Sequence, residues 1–206
     1  MQLALAIPGA IGFDTDTPLD ATTAAGFVAA GYHFVCRYVS RDAPEPGDLT
    51  STEVGIILAA GLALMVVQHA PEPDWTPSAA LGKVWGEAAV SNLRALSLPP
   101  GVMIWKDHEG VATGSSSSDV AAHVNAWSAA LAGAAEPGLY VGYDCGLNAQ
   151  QLYYDLTLSR YWKSLSNVPA PALRGFCMEQ TVGGTTFDID VVASDAHGGV
   201  PTWLIP

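Results

Sequence analysis

Residues 102–110 read VMIWKDHEG: an apolar run closes abruptly on Lys106, Asp107, His108, Glu109 and Gly110. Two acids two positions apart have the type and spacing for proton chemistry if the segment is extended. Side chains of a strand alternate between faces, so Asp107 and Glu109 share one face with Cα atoms roughly 7 Å apart, and His108 points the other way. Neighbouring carboxyls oppose each other's ionisation, which raises one pKa and keeps a proton available near neutral pH. Cleavage of a glycosidic bond uses such a pair, a protonated acid at the leaving oxygen and a charged partner beside it. Taken alone, Asp-x-Glu also suits the start of a solvated loop. The element that holds it, and what stands around it, must decide.

The chain alternates short apolar runs with longer Ala-rich helical patterns, the rhythm of a parallel sheet with crossover helices. AIGFDTD reads as a first strand, LDATTAAGFVAAG as a helix with Gly31 as its C′ residue, and YHFVCRYVS as a second strand. TSTEVGIILAAG follows as a helix opened by a capping-box pattern from Thr50 to Glu53 and closed by Gly61, then LALMVVQH as a third strand. A helix over SAALGKVWGEAAVSNLRALSL precedes the GVMIWKDHE strand. A helix entered through the serine run 115–118 precedes a fifth strand, GLYVGYD, and LNAQQLYYDL is a short helix. SRYWKSL, GFCMEQTV and FDIDVVA then read as three strands whose connections are too short for crossover helices, so some of them are expected to be antiparallel. The expected fold is α/β, a modified TIM barrel of about five β/α units followed by three strands, as a single domain over residues 1–206.

Active sites of such barrels lie at the C-terminal ends of the strands. The polar residues ending the eight runs are Asp14 and Asp16, Arg37 and Tyr38, Gln68 and His69, Asp107 and Glu109, Tyr143 and Asp144, Tyr161 and Trp162, Glu179 and Gln180, and Asp188 and Asp190. Acids and aromatics dominate. That mixture fits a neutral polyol, with rings stacking on sugars while carboxylates bind hydroxyls and move protons. Trp85 and Trp127 fall in helices and are read as packing residues.

Other chemistries find little support. The net charge is −12, from 20 acids against 8 Lys and Arg, which argues against nucleic acid and against an anionic membrane surface. Cys36, Cys145 and Cys177 are far apart and show no metal or redox spacing, so reduced buried thiols are expected. The five histidines lack HxxH or HxxxH spacing, and no P-loop, GxGxxG or GxSxG occurs, so neither a metal nor a cofactor is expected. MQLALAIPGAIGF has no basic start and is broken by Pro8 and Gly9, and no apolar run reaches membrane length. The expectation is synthesis in a cytoplasm without a signal peptide.

GFDTD, MIWKDHE, GLYVGY, RYWKS, FCMEQT and FDIDVV occur in an order that resembles the family-25 lysozymes and their relatives, the glycoside-hydrolase-like barrels of unknown function. The resemblance runs through nearly the whole chain. It implies cleavage of the β-1,4 bond between N-acetylmuramic acid and N-acetylglucosamine in peptidoglycan. On it, Glu109 matches the general acid, and Asp107 its partner, orienting the acetamido group or stabilising an oxocarbenium-like state. Asp14 and Asp188 match acids of the first and last strands. Tyr143, Trp162 and Gln180 fall near sugar-contacting positions, and Asp16, Arg37, Gln68, His69 and Asp190 join them as substrate-binding candidates. Asp16, Asp190, Lys106 and Arg37 depart from the family pattern. The alternative is a non-catalytic glycan-binding or structural module on the same barrel, part of a phage particle or secretion apparatus. Either reading puts the protein at the cell wall after release or delivery.

Overall fold

The computed structural model describes all 206 residues. A short strand β1 (Gln2–Leu5) precedes five β/α units. These are β2 (Ile11–Thr15) with α1 (Ala21–Ala29), β3 (Phe34–Val39) with α2 (Ser51–Ala60), β4 (Ala63–Gln68) with α3 (Ala79–Ala95), β5 (Val102–His108) with α4 (Ser117–Ala130), and β6 (Ala135–Val141) with α5 (Ala149–Tyr154). Three strands without crossover helices follow: β7 (Tyr161–Lys163), β8 (Met178–Val182) and β9 (Asp188–Val192). β10 (Thr202–Ile205) ends the chain.

Strands β2 to β8 run parallel to one another, and β9 runs antiparallel to both β8 and β2, closing an eight-strand barrel. The reversal of β9 brings its first residue to the end of the barrel where the parallel strands finish, so Asp188 lies opposite Asp14. A β-bulge between Gln180 and Val182 disturbs the β8–β9 register there, and bulges of this kind re-aim side chains.

The expected count of eight strands is short by two. β1 pairs antiparallel with β10, and β10 meets β4 at Leu204 opposite Leu64, before β4 takes up β5 at Val66. Trp203 is buried with Phe34, at 5.9 Å between ring centroids, among the side chains that fill the barrel. This ribbon closes the end of the barrel away from the acids.

Strand alternation sorts the core into two layers. Phe34, Cys36, Met65, Val67, Met103, Trp105, Trp162 and Met178 fill the barrel interior, while Val35, Leu64, Val66, Ile104, Leu139 and Val141 meet the helices. Helix starts follow the expected chemistry. Asp20, Thr50, Ser78, Ser116 and Asn148 each accept a backbone N–H of the first turn. The Thr50–Glu53 box forms only half: Thr50 caps Glu53 N, but the Glu53 carboxylate is turned to Arg37 and to Leu19 N–H, so the reciprocal bond is absent. α3 lies tightly on α4, and a Cβ at Gly82 or Gly86 would strike the backbone oxygens of His123 or Trp127. No helix is long and apolar enough to cross a membrane.

Candidate active site

Asp107 and Glu109 both follow the inward phase of β5, which runs Met103, Trp105, Asp107, and Lys106 and His108 face the helices. Asp107 is nine-tenths buried at the barrel mouth. Its Oδ2 accepts the N–H of Ala70 at 3.4 Å, and its Oδ1 has no hydrogen-bond partner. Burial, and then the neighbouring Glu109 carboxylate, push the Asp107 carboxyl up to about 8. Burial raises Glu109 as well.

The Glu109 side chain lies over Gly142, where any Cβ would collide with it, so β6 must carry a glycine there. Its backbone is braced from the far side. Trp75 Nε1 donates to the Glu109 carbonyl at 2.8 Å, and Asp74 N donates to the Gly110 carbonyl at 2.7 Å. Gly110 has φ +64°, the left-handed region that a β-carbon resists. Strand β5 therefore ends in a fixed turn stitched to residues 74 and 75, not in a loose loop.

Opposite stand the acids of β2 and β9. Asp14 accepts the Tyr38 hydroxyl at 2.8 Å on Oδ1 and Gln180 Nε2 at 3.3 Å on Oδ2. Gln180 also donates to Asp188 at 2.7 Å, and its oxygen accepts from Tyr140 at 3.0 Å and from Leu165 N at 3.2 Å. One amide thus fixes both carboxylates and is itself fixed by a tyrosine. Burial, set against the Tyr38 bond and aided by Asp188, pushes the Asp14 carboxyl up to about 6. Asp190 is fully buried below, accepts Trp162 Nε1 at 3.0 Å, and is held well above the usual carboxylate range by burial and then by Asp14.

These residues open onto a polar groove of about 350 Å³ lined by Asp14, Asp16, Tyr38, His69, Asp107 and Asp188 together with the 184–187 turn. Thr15 holds that turn through a bond from its hydroxyl to the Thr186 carbonyl at 2.7 Å. Glu109 flanks the groove beside Asp107. Tyr143, exposed, stands near it with its hydroxyl close to Gly110, and desolvation, then the Glu109 charge, raise its pKa. The His69 ring stacks on Tyr38 at 4.6 Å, and burial lowers its pKa.

Four proposed contacts are not brought to the groove: Asp190, fully buried below it, and three more. Arg37 lies on the helix-facing side of β3, wholly buried, bonded to Glu53 at 2.6 Å and to the carbonyls of Thr15 and Gly47. Gln68 likewise faces outward, donating to the Trp85 carbonyl at 2.9 Å and accepting Trp127 Nε1 at 2.7 Å. Trp162 points inward but is fully buried beneath the groove, packed on Trp105 and Tyr140. Tyr140 and Gly142 also matter to the site, as does Glu53, whose place in a helix-capping pattern hides its bond to Arg37. Alternation from Gly138 onward would have placed Tyr140 and Gly142 on the inward face. No group of three or more His, Cys, Asp or Glu side chains is arranged to hold a metal ion.

The model of a family described as Rv2525c-like, glycoside hydrolase-like domain matches residues 25–194, a stretch that includes Asp107, Glu109, Gln180 and Asp188 and begins after Asp14. Among solved structures, the Mycobacterium tuberculosis Tat-secreted protein Rv2525c in complex with L-tartrate is similar at a TM-score of 0.66 and 16% identity, covering 89% of this chain and 95% of that one. A family 25 glycosyl hydrolase from Bacillus anthracis gives 0.62 and 12%, covering 90% and 89%. A bacterial lysozyme from Streptomyces coelicolor gives 0.58 and 14%, covering 93% and 95%. At such identities the likeness is one of fold. No curated protein sequence matches the chain.

Proposed function

The chain belongs to the Rv2525c-like, glycoside hydrolase-like family, and from that premise we propose that it is a glycosidase acting on a cell-wall polysaccharide, lysozyme-like in chemistry. The observation that carries the reading is the pair Asp107 and Glu109 on one inward face, both with raised pKa, facing Asp14 and Asp188 across the barrel mouth. Two coupled carboxyls titrate as a pair, and over a span of pH they hold one proton between them. In this reading Glu109 passes that proton to the leaving glycosidic oxygen. Asp107, ionised while Glu109 holds the pair's proton, stabilises the developing oxocarbenium centre, and water adds to the anomeric carbon and returns a proton to Glu109. Asp14 and Asp188, oriented by Gln180 and Tyr38, bind sugar hydroxyls, with Asp16, His69 and Tyr143 at the rim.

The β-1,4 bond of peptidoglycan is the first substrate to test. Purified cell wall is incubated with wild type and with Glu109→Gln, and turbidity and released reducing ends are followed. Clearing by wild type and loss of about 10²-fold or more in the variant support the assignment. Equal clearing by both removes Glu109 from the role.

A second reading, a glycan-binding module of a phage particle or secretion machine, draws on one feature. Glu109 flanks the groove and is not among the residues that line it. Binding to insoluble wall without products, unchanged in Glu109→Gln, would favour that reading. We further propose that the chain acts as one domain, at the cell wall after release or delivery.

A further inference from the structure

The groove's lining bears on which glycan it takes. Four carboxylates, Asp14, Asp16, Asp107 and Asp188, face it, and no lysine or arginine does. The cations nearest in sequence are turned away. Arg37 is bound to Glu53 behind the sheet, Lys106 lies between the Trp75 and Trp85 rings at 5.3 and 4.7 Å from their centroids, and Arg41 donates to the Ala70 carbonyl at 2.7 Å. Within this lining Asp107, nine-tenths buried, keeps an oxygen without any donor. A buried acceptor left unpaired is costly, and a ligand that brings a donor relieves it.

The groove also offers little to a methyl group. Its apolar lining is Tyr38 and Phe187. The Tyr38 ring is stacked on His69 and its hydroxyl is held by Asp14, while Phe187 packs edge-on against Phe13, Phe27 and Tyr32. An acetamido methyl gains from contact with apolar surface, and little of it is free here. An acidic glycan would meet like charge both in the groove and over a protein of net charge −12.

We propose that the groove takes a glycan whose sugars carry free, protonated amino groups, a glucosamine-type polymer, in preference to a fully N-acetylated or an acidic one. This rests on the glycosidase reading of the same groove and narrows its substrate to a wall glycan with free amino groups, in place of fully N-acetylated peptidoglycan. An ammonium group favours the ionised form of Asp107, gives its Oδ1 the donor that the fold does not, and meets the negative charge of the surrounding carboxylates. It also resolves a conflict, because a strongly acidic protein is steered away from anionic wall polymers and toward a polycation.

The test uses wild-type protein at about pH 6, where sugar amines are protonated, with hexamers of glucosamine, N-acetylglucosamine and galacturonate. Affinity is read by calorimetry, and products by mass spectrometry. Each partly screened charge pairing is worth a few-fold, so two give a preference of about tenfold for the amino hexamer over the acetylated one. That preference should shrink on raising salt from about 0.05 to about 0.5 M. An opposite charge favours ionised Asp107, so binding the amino sugar should release protons, seen as a dependence of the binding heat on the buffer's ionisation enthalpy. Asp16→Asn, at the exposed rim, should weaken the amino hexamer a few-fold more than it weakens the acetylated one. Equal or tighter binding of the acetylated hexamer, or its cleavage alone, overturns the amino preference and leaves the glycosidase reading standing. Tight, salt-sensitive binding of the amino hexamer without products upholds the preference and removes the hydrolytic reading. No binding of either glucosamine-type sugar overturns the amino preference and leaves the glycosidase reading to the cell-wall assay.

Discussion

Asp107→Asn is expected to make the protein more stable at neutral pH while removing a partner carboxylate from the proposed acid pair. The Asp107 carboxyl, ordinarily near 3.8, sits at about 8 in the folded chain because burial and the Glu109 charge disfavour its ionised form. A folded-state pKa above the unfolded one means the unfolded chain gives up its proton first. The associated stability is therefore complete below about pH 4 and is lost as pH rises toward about 8. Each pH unit in that window is worth about 1.4 kcal/mol, so over the roughly three units to pH 7 wild type gives up on the order of 4 kcal/mol. Asparagine is neutral throughout, and its side-chain oxygen can still accept the Ala70 N–H, so it escapes that loss. Urea unfolding of both proteins at about pH 4, 5.5 and 7 measures this. With an m-value of about 2–3 kcal/mol/M, the gain at pH 7 moves the midpoint by roughly 1–2 M and fades to nothing near pH 4. A variant no more stable than wild type at pH 7, or one whose advantage does not depend on pH, would refute the claim that Asp107 is held as a strained acid. Sites tuned for chemistry are commonly stabilised by disabling them, so the same variant should also lose glycan hydrolysis by about 10²-fold or more.

Hydrolysis should decline as pH rises through about 8, where the Asp107–Glu109 pair loses its last proton, and a rate profile flat to pH 10 would contradict the acid pair. Arg37→Met strands the buried Glu53 carboxylate and should cost about 3–5 kcal/mol in urea unfolding. The double variant Arg37→Met/Glu53→Met should recover most of that, and glycan affinity should not change in a way that marks Arg37 as a contact. Gly142→Ala forces the Glu109 side chain aside and should cut turnover far more than it lowers the melting temperature, which paired activity and thermal-unfolding measurements would resolve.

The barrel was readable because each βα unit carries an apolar run and a helix-capping residue, and the first two also a closing glycine, Gly31 and Gly61. The ribbon of β1 and β10 was not, since its partners are about 200 residues apart and three of the four β1 residues are exposed, so no buried alternation marks it. Within the site, one rule separates the side chains that face the groove from those that do not. Counting by twos along β5 puts Asp107 and Glu109 on one face, and Asp107 lines the groove. The same count along β3 and β4 selects Tyr38 over Arg37 and His69 over Gln68. Reading the polar residues at strand ends as one set obscured that choice.

Glu53 marks where sequence rules stop. Its position three residues after Thr50 fits a helix cap, and Thr50 does cap the helix. Yet a glutamate beside a buried arginine gains more from the charged partner than from a backbone N–H that water can reach. The side chain therefore crosses to Arg37 and Leu19, tying α2 to β3 and to the segment after β2. Arg37 in turn bonds the Thr15 carbonyl, one residue beyond Asp14. The only guanidinium on that strand thus holds the end of β2 from behind the sheet. The groove in front is left to carboxylates, with no fixed cation of the protein to neutralise them.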